Sequence, residues 1–228
     1  MSAASLLDEV MIADRTGLSY LDSALIGDRE AWDCPLRAEM AAAGLSVRAF
    51  ARVLALGVPA AALAQLCGAG DLAASHVALS RDGNWFELEG PDPRLLLAVR
   101  EQGVVVDIVA LATHDPDQWA LRSGMGWCLG YDAWLDCEIG WKHELRVHAT
   151  PLAWLQAGCE GVAILDWDVG VSHLRGLGDH VQLRCDRGAG KRLTALLQHG
   201  GIPRVKETGL PLRPTDALRE ASADRRAA

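Results

Sequence analysis

The feature that most constrains the fold of this chain is a regular alternation of short apolar strands and helical segments within residues 143–202. The predicted strands span residues 145–149, 161–165 and 181–185, and they are followed by predicted helical segments at 151–157, 169–176 and 190–198. This order predicts a parallel sheet with right-handed crossovers, because consecutive parallel strands need a helix to return the chain. We therefore expect a β-α-β-α-β-α unit that binds ligands at the carboxyl ends of its strands.

The region before this unit divides into two parts. Residues 1–75 read as helical, with Ser46 as the N-cap of a helix over 47–56 that ends at Gly57, and a second short helix over 60–66. The pair has the outline of a helix-turn-helix, which we interpret as scaffold because it lacks the series of Arg, Asn or Gln expected of a recognition helix.

Residues 76–142 predict a small antiparallel sheet followed by a loop rich in Gly and Trp. The turn dipeptide Asp82-Gly83 predicts a hairpin, and further strands are expected at 95–99, 104–111 and 119–122. Residues 203–228 predict a flexible tail, because prolines and a polar end interrupt any regular element. The fold class is therefore α/β, or α+β overall.

Composition and charge exclude several classes of protein. Of 228 residues, 50% are hydrophobic and 23% charged, which excludes a disordered chain. The apolar runs fall short of the ~18 residues of a membrane span, and an acidic start is the reverse of a secretory signal, so we expect a soluble cytoplasmic protein that does not bind membranes. Six widely spaced cysteines predict free, mostly buried thiols. The net charge is −8, yet residues 171–228 carry more Lys and Arg than Asp and Glu.

This basic region includes a loop that favours phosphate binding. It resembles a P-loop but departs from it, since Cys185 replaces the first glycine and Arg192 replaces the hydroxyl residue that holds magnesium. Backbone amides at the start of the following helix could still receive a phosphate. The candidate phosphate-binding or nucleic-acid-binding residues are Arg184, Arg187, Gly190, Lys191 and Arg192. The alternatives are a plain strand-to-helix turn and a solvated basic face.

Three aspartates at the predicted strand ends are candidate ligands for Mg²⁺. Asp166 and Asp168 follow the second strand, and Asp186 could join them if the sheet brings the two loops together. The alternative is that each aspartate caps the next helix. His148 is a candidate acid-base group because it lies at a strand end.

Tryptophans recur at intervals of seven at residues 127, 134 and 141. Tryptophans can stack on unpaired bases. Core packing is favoured here, because glycines interrupt any helix that would align the three rings.

The order of elements over residues 95–200 resembles the Toprim-containing primases of phages and plasmids. In that family the first strand ends in Glu-Gly, and the third strand ends in Asp-x-Asp followed by a glycine. Here Ala149 and Thr150 stand at the Glu-Gly positions, while the third strand keeps Asp186 but has Gly188 at the second Asp. Because the family's Glu acts in acid-base chemistry and its Asp pair binds magnesium, the resemblance implies a degenerate, non-catalytic copy.

The resemblance implies a protein of prophage or mobile-element type that works in DNA replication by binding nucleic acid or a replication protein. No cofactor is expected in that case. The main alternative is a magnesium-dependent phosphotransfer, nuclease or primase-like enzyme that uses Asp166, Asp168 and Asp186. A third is a protein-binding adaptor, in keeping with the acidic segment 101–170. The sequence does not predict the oligomeric state.

Overall fold

The computed structural model describes residues 33–115 and 117–197, and the backbone of residues 204–207. Predictions for residues 1–32, 198–203 and 208–228 lie outside this part of the chain. The described residues form two compact units, which are treated separately below: residues 33–53 with 63–115 and 117–126, and residues 54–62 with 127–197 and 204–207. The predicted boundary at 75/76 falls inside the first strand, and residues 127–142 belong to the second unit.

The described part of the predicted N-terminal helical region, residues 33–71, is mostly helical, as predicted. Its helices are α1 (residues 33–43), α2 (Val47–Ala55) and α3 (Ala60–Ala69). The predicted N-cap is confirmed, because the Ser46 hydroxyl accepts a hydrogen bond from the Ala49 amide at 3.2 Å. Gly57 follows α2 with a φ of +83°, the left-handed conformation that commonly ends a helix.

Five antiparallel strands form the sheet of the first unit. They are β1 (Leu72–Leu79), β2 (Phe86–Leu88), β3 (Asp92–Glu101), β4 (Val104–Leu111) and β5 (Trp119–Leu121), in the sheet order β2-β1-β3-β4-β5. The predicted hairpin is present, since β1 pairs with β2, and the strands expected at 95–99 and 104–111 pair with each other as β3 and β4. Gln102 and Gly103 have φ angles of 51° and 83°, which suit the tight turn between closely paired strands.

Helix α1 packs against this sheet. Leu36 and Met40 are buried in the same cluster as Ile108 on β4. The Asp33 carboxylate accepts a hydrogen bond from the Val105 amide at 2.7 Å, which joins this helix to the start of β4. The apolar face of the helix and the inward face of the sheet therefore form one core.

A buried carboxylate organises the predicted glycine-rich loop. Asp107 on β4 is fully buried, and its oxygens accept hydrogen bonds from the backbone amides of Ile108, Arg122, Ser123 and Gly126 at 2.7 to 3.2 Å. Buried backbone amides need such acceptors when no neighbouring strand supplies them. The Asp107 carboxylate therefore holds the loop after β5 on β4, together with the Ser123 hydroxyl, which donates to the Val106 carbonyl at 2.9 Å.

The second unit contains the predicted alternation of strands and helices. Its elements are β6 (Cys128–Leu129), α4 (Tyr131–Glu138), β7 (Glu144–His148), α5 (Pro151–Gln156), β8 (Val162–Ile164), α6 (Trp167–Gly176), β9 (Gln182–Cys185), α7 (Arg187–Leu197) and β10 (Arg204–Glu207). The sheet order is β10-β9-β7-β8-β6. Strands β7 to β10 pair in parallel, and β6 pairs antiparallel with β8 at the edge.

Several elements differ from the sequence prediction. Strand β6 and helix α4 lie where a loop rich in Gly and Trp was predicted, and α6 begins at Trp167 rather than at residue 169. Helix α7 begins at Arg187 rather than at residue 190, because Asp186 caps it. Strand β10 lies within the segment predicted as a tail and pairs with β9. The sequence missed this strand because it has only four residues and follows a Gly-Gly-Ile-Pro segment.

The core of the second unit joins the sheet to helices α4, α6 and α7. Inward positions of the strands, such as Leu145 and Leu183, are buried with Leu174 of α6 and Leu193 of α7.

No helix in the described residues is both long enough and apolar enough to cross a bilayer.

Two of the three regularly spaced tryptophans are core residues, as predicted. Trp127 and Trp134 are 2% and 4% exposed, and their rings meet edge to face with centroids 5.6 Å apart. Trp141 differs, since 79% of it is exposed.

The Cys residues are all free thiols, and Cys128, Cys137 and Cys185 are buried.

Candidate functional site at the carboxyl edge of the second sheet

The order of the parallel strands reverses at the carboxyl ends of β7 and β9, which is where open α/β sheets form a ligand-binding crevice. The chain passes from β7 to β8 on one side, and then returns to β9 on the other side of β7. Ligands of open α/β sheets bind where the strand order reverses in this way. The residues that line this edge follow β7 and β9, at positions 148–150 and 186–188.

Asp186 joins the two strand ends through its carboxylate. One oxygen, Oδ2, accepts a hydrogen bond from the Ala149 amide at 2.9 Å, and the other, Oδ1, accepts from the Ala189 amide at 2.8 Å. Its own amide donates to the Val147 carbonyl at 3.1 Å. The side chain is 15% exposed. Asp186 therefore acts as the N-cap of α7 and as a cross-link to the strand β7.

The three positions that the Toprim resemblance singles out lie side by side here. A Cβ atom built on Gly188 would stand 3.1 Å from the Ala149 Cβ and 3.6 Å from Oδ1 of Asp186. At these three positions the edge of the sheet therefore carries the carboxylate of Asp186, the methyl group of Ala149 and no side chain at Gly188.

His148 lies at the end of β7, as predicted, but it is buried. It is 3% exposed, and its Nε2 lies 2.9 Å from the carbonyl oxygen of Glu160. Its Nδ1 has no hydrogen-bond partner and lies 3.8 Å from Oδ2 of Asp186. Burial lowers the pKa of His148, while the Glu160 carbonyl and the Asp186 carboxylate act in the opposite direction. A neutral, buried imidazole is poorly placed to exchange protons with a bound substrate.

Acidification should destabilise the fold through His148. Because the unfolded chain binds this proton more tightly, the free energy of unfolding should fall as the pH drops below 6.5, the ordinary value, and continue to fall until the folded pKa is reached. Thermal unfolding between about pH 8 and about pH 5.5 should show a weaker pH dependence in His148→Gln than in wild type. The exposed His114→Gln is the control. Equal slopes in all three proteins would contradict this expectation.

Glu160 contacts His148, and the sequence did not reveal this contact. Its carbonyl holds His148, and its carboxylate forms an ion pair with Arg146. A main-chain contact of this kind depends on how the loop after α5 folds back, so no residue pattern could have indicated it.

The structure does not gather Asp166, Asp168 and Asp186 into a metal site. Asp166 caps α6, and its Oδ1 accepts hydrogen bonds from the amides of Asp168 and Val169 at 2.9 and 3.2 Å. Strand β7 lies between β8 and β9, so the loops that carry Asp166 and Asp186 are not neighbours. Among the described residues, no three His, Cys, Asp or Glu side chains are grouped as ligands for a metal ion.

The predicted phosphate-binding residues separate into different environments. Arg184 lies within β9 and forms an ion pair with Glu144, with Nε and Oε2 2.6 Å apart, although the angle is not that of a hydrogen bond. Gly190 is buried inside the first turn of α7, and its amide donates to the Asp186 carbonyl at 2.8 Å. The Gly190 amide is therefore used within the helix, which starts three positions earlier than expected, and the phosphate-binding role of the helix start stays a prediction.

The remaining three basic residues form an exposed group on α7, here called the α7 basic face: Arg187, Lys191 and Arg192. Arg187 and Lys191 are one helical turn apart, so they share one side of the helix. The Arg192 guanidinium lies 4.3 Å from the centre of the Trp167 ring. Its pKa is lowered by burial, while the nearby Asp168 acts in the opposite direction. The aromatic contact fixes the position of this cation at the surface.

Comparison with known proteins gives no relative: no family model, no curated protein and no solved structure matches this chain.

Proposed function

We propose that this chain is a non-catalytic, Toprim-like protein that binds nucleic acid through the α7 basic face. The observation that carries the proposal is the meeting of Ala149, Asp186 and Gly188 at the crevice between β7 and β9. These are the positions at which the resemblance expects a Glu and two Asp residues.

The position of Asp186 supports the non-catalytic part of the proposal. Magnesium-dependent phosphoryl chemistry needs several carboxylate oxygens around the ion. The only carboxylate among the three positions belongs to Asp186, and each of its oxygens accepts a backbone amide. Asp186 thus has a structural task at this edge of the sheet, and no second carboxylate stands at Ala149 or Gly188.

The exposure and spacing of the α7 basic face support nucleic-acid binding. Arg187 and Lys191 point from the same side of one helix, and Arg192 lies beside them on Trp167. Phosphate contacts from Lys and Arg supply most of the affinity of sequence-independent binding. The prophage or mobile-element origin, and a role in replication, follow from the resemblance alone.

The titration of a short single-stranded DNA at two salt concentrations tests this proposal. Arg187→Glu/Lys191→Glu should weaken binding by about tenfold or more, and should reduce the slope of log K against log salt by roughly 0.7 for each phosphate that the variant no longer neutralises. The matched control is Arg81→Glu/Lys142→Glu, which reverses two exposed charges elsewhere. We expect this control to bind as the wild type does.

Two outcomes would count against nucleic-acid binding. If both double variants bind equally weakly, the effect is one of net charge rather than of the α7 basic face. If wild type binds no DNA at low salt, the adaptor hypothesis is favoured, because a protein-binding adaptor does not require this surface to hold phosphates.

A further inference from the structure

The first unit contains a cavity of about 390 Å³ whose wall is strongly basic. It lies between helix α2 and strands β1 and β3. The polar side chains that line it come from Ser46, Arg48, Arg52, Ser75, His76, Arg94 and Thr113. No Asp or Glu of the described residues is part of its lining. Three arginines therefore face one space without an acidic residue in its wall.

Arg94 is the most informative residue of this cavity, because it is buried without an adequate partner. It is 6% exposed, and its Nε has no hydrogen bond. The acidic side chain near it is Asp92, whose Oδ2 lies 4.0 Å from Nη2 and which is itself 49% exposed. Buried guanidinium groups normally have close anionic partners with well-aligned hydrogen bonds. An anion in the cavity would provide the partner that this arginine lacks.

Helix α2 brings two further cations to the same space. Arg48 lies in the first turn of this nine-residue helix, whose amino end Ser46 caps, and Arg52 lies one turn further along, in the last turn. The amino end of a helix carries a partial positive charge that favours anions. Both arginines are exposed, so their side chains can turn toward a ligand without a change in the core.

We propose that this cavity binds a phosphate group. Arginine forks match the oxygens of a phosphate in pairs, and a dianion neutralises more of the three positive charges than a single carboxylate does. A volume of about 390 Å³ exceeds that of one phosphate and falls within the range of small-ligand pockets, so it leaves room for the group that carries the phosphate. The site belongs to the first unit and is independent of the proposed function of α7.

The sequence contained a signal for this site. Arg48 and Arg52 follow the N-cap Ser46 and are four residues apart, and Arg94 directly precedes the apolar run of residues 95–99. The sequence did not predict the antiparallel pairing of β1 with β3, which places Arg94 opposite Ser75.

Calorimetry at fixed ionic strength tests the proposal with three probes: inorganic phosphate, a nucleoside 5′-monophosphate and a single-stranded oligonucleotide. The oligonucleotide is used in the Arg187→Glu/Lys191→Glu background, so that the α7 basic face does not contribute. We expect saturable binding that weakens at least about tenfold in Arg48→Gln/Arg52→Gln and in Arg94→Met. Arg81→Gln/Lys142→Gln, which removes two exposed charges elsewhere, should bind as the wild type does.

The probes also identify the source of the phosphate. Binding of the free phosphate or the mononucleotide indicates a phosphorylated small molecule, and binding of the oligonucleotide alone indicates a nucleic-acid backbone. Binding that is the same in wild type and in Arg48→Gln/Arg52→Gln would overturn the proposal, as would the absence of saturable binding to all three probes. If Arg94→Met does not fold, Arg48→Gln/Arg52→Gln still tests the proposal, because both of these arginines are exposed.

Discussion

Asp186→Ala should lower the free energy of unfolding by about 2 to 4 kcal/mol, a large effect for a side chain at the edge of a sheet. The substitution removes the N-cap of α7, which is worth about 1 kcal/mol. It also leaves the Ala149 amide without its acceptor, and an unsatisfied, partly buried amide costs about 1 to 3 kcal/mol. The reason for the effect is structural, so it should appear in the absence of any metal or ligand.

Urea unfolding of Asp186→Ala, Asp186→Asn and Asp168→Ala measures this effect. Asp186→Asn keeps an acceptor oxygen and should be destabilised less than Asp186→Ala. Asp168→Ala is the matched control, because Asp168 is exposed in the first turn of α6 and should contribute under about 1 kcal/mol. If Asp186→Ala were as stable as the control, Asp186 would not have the structural task assigned to it.

The order of elements in the second unit was predictable from sequence because its periods are strong. The strands β7, β8 and β9 and their following helices all lie where the apolar runs indicated. The start of α7 was not predicted correctly, because Arg187, Gly188 and Ala189 carry no helix-start signal beyond the preceding Asp186. Reading Asp186 as an N-cap, the alternative considered for each aspartate, would have given the observed start.

The arrangement of the site was less predictable, because it depends on the order of strands in the sheet. The sequence placed Asp166 and Asp186 after successive strands, but β7 lies between those strands and keeps their loops apart. The same order brings Ala149 next to Asp186 and Gly188, although about 40 residues of chain separate Ala149 from the other two. Sequence patterns indicate which residues end strands, and long-range packing decides which strand ends meet.

The second large effect is expected from rebuilding the missing carboxylates. Ala149→Glu/Gly188→Asp should create a magnesium site at this edge of the sheet, because the two new side chains would project beside Asp186. Gly188 has no left-handed backbone conformation, and a Cβ there meets only the Ala149 Cβ closely, at 3.1 Å. We therefore expect the double variant to fold and to bind Mg²⁺ with a dissociation constant in the millimolar range or below.

Two controls define what this variant shows. Adding Asp186→Asn to the rebuilt protein should abolish the new binding, since it removes one of three carboxylates. Placing the same two residue types away from the crevice, as in Ala195→Glu/Gly176→Asp, should produce no magnesium site. If the rebuilt protein folds but binds no magnesium, the three positions do not form a Toprim-like site.

Magnesium binding by the wild-type protein, measured by calorimetry, tests the non-catalytic interpretation most directly. We expect no binding tighter than about millimolar, because a single carboxylate that is already bonded to two backbone amides is a weak site for this ion. Tighter binding that disappears in Asp186→Asn would contradict the interpretation, and would show that Asp186 belongs to a working metal site.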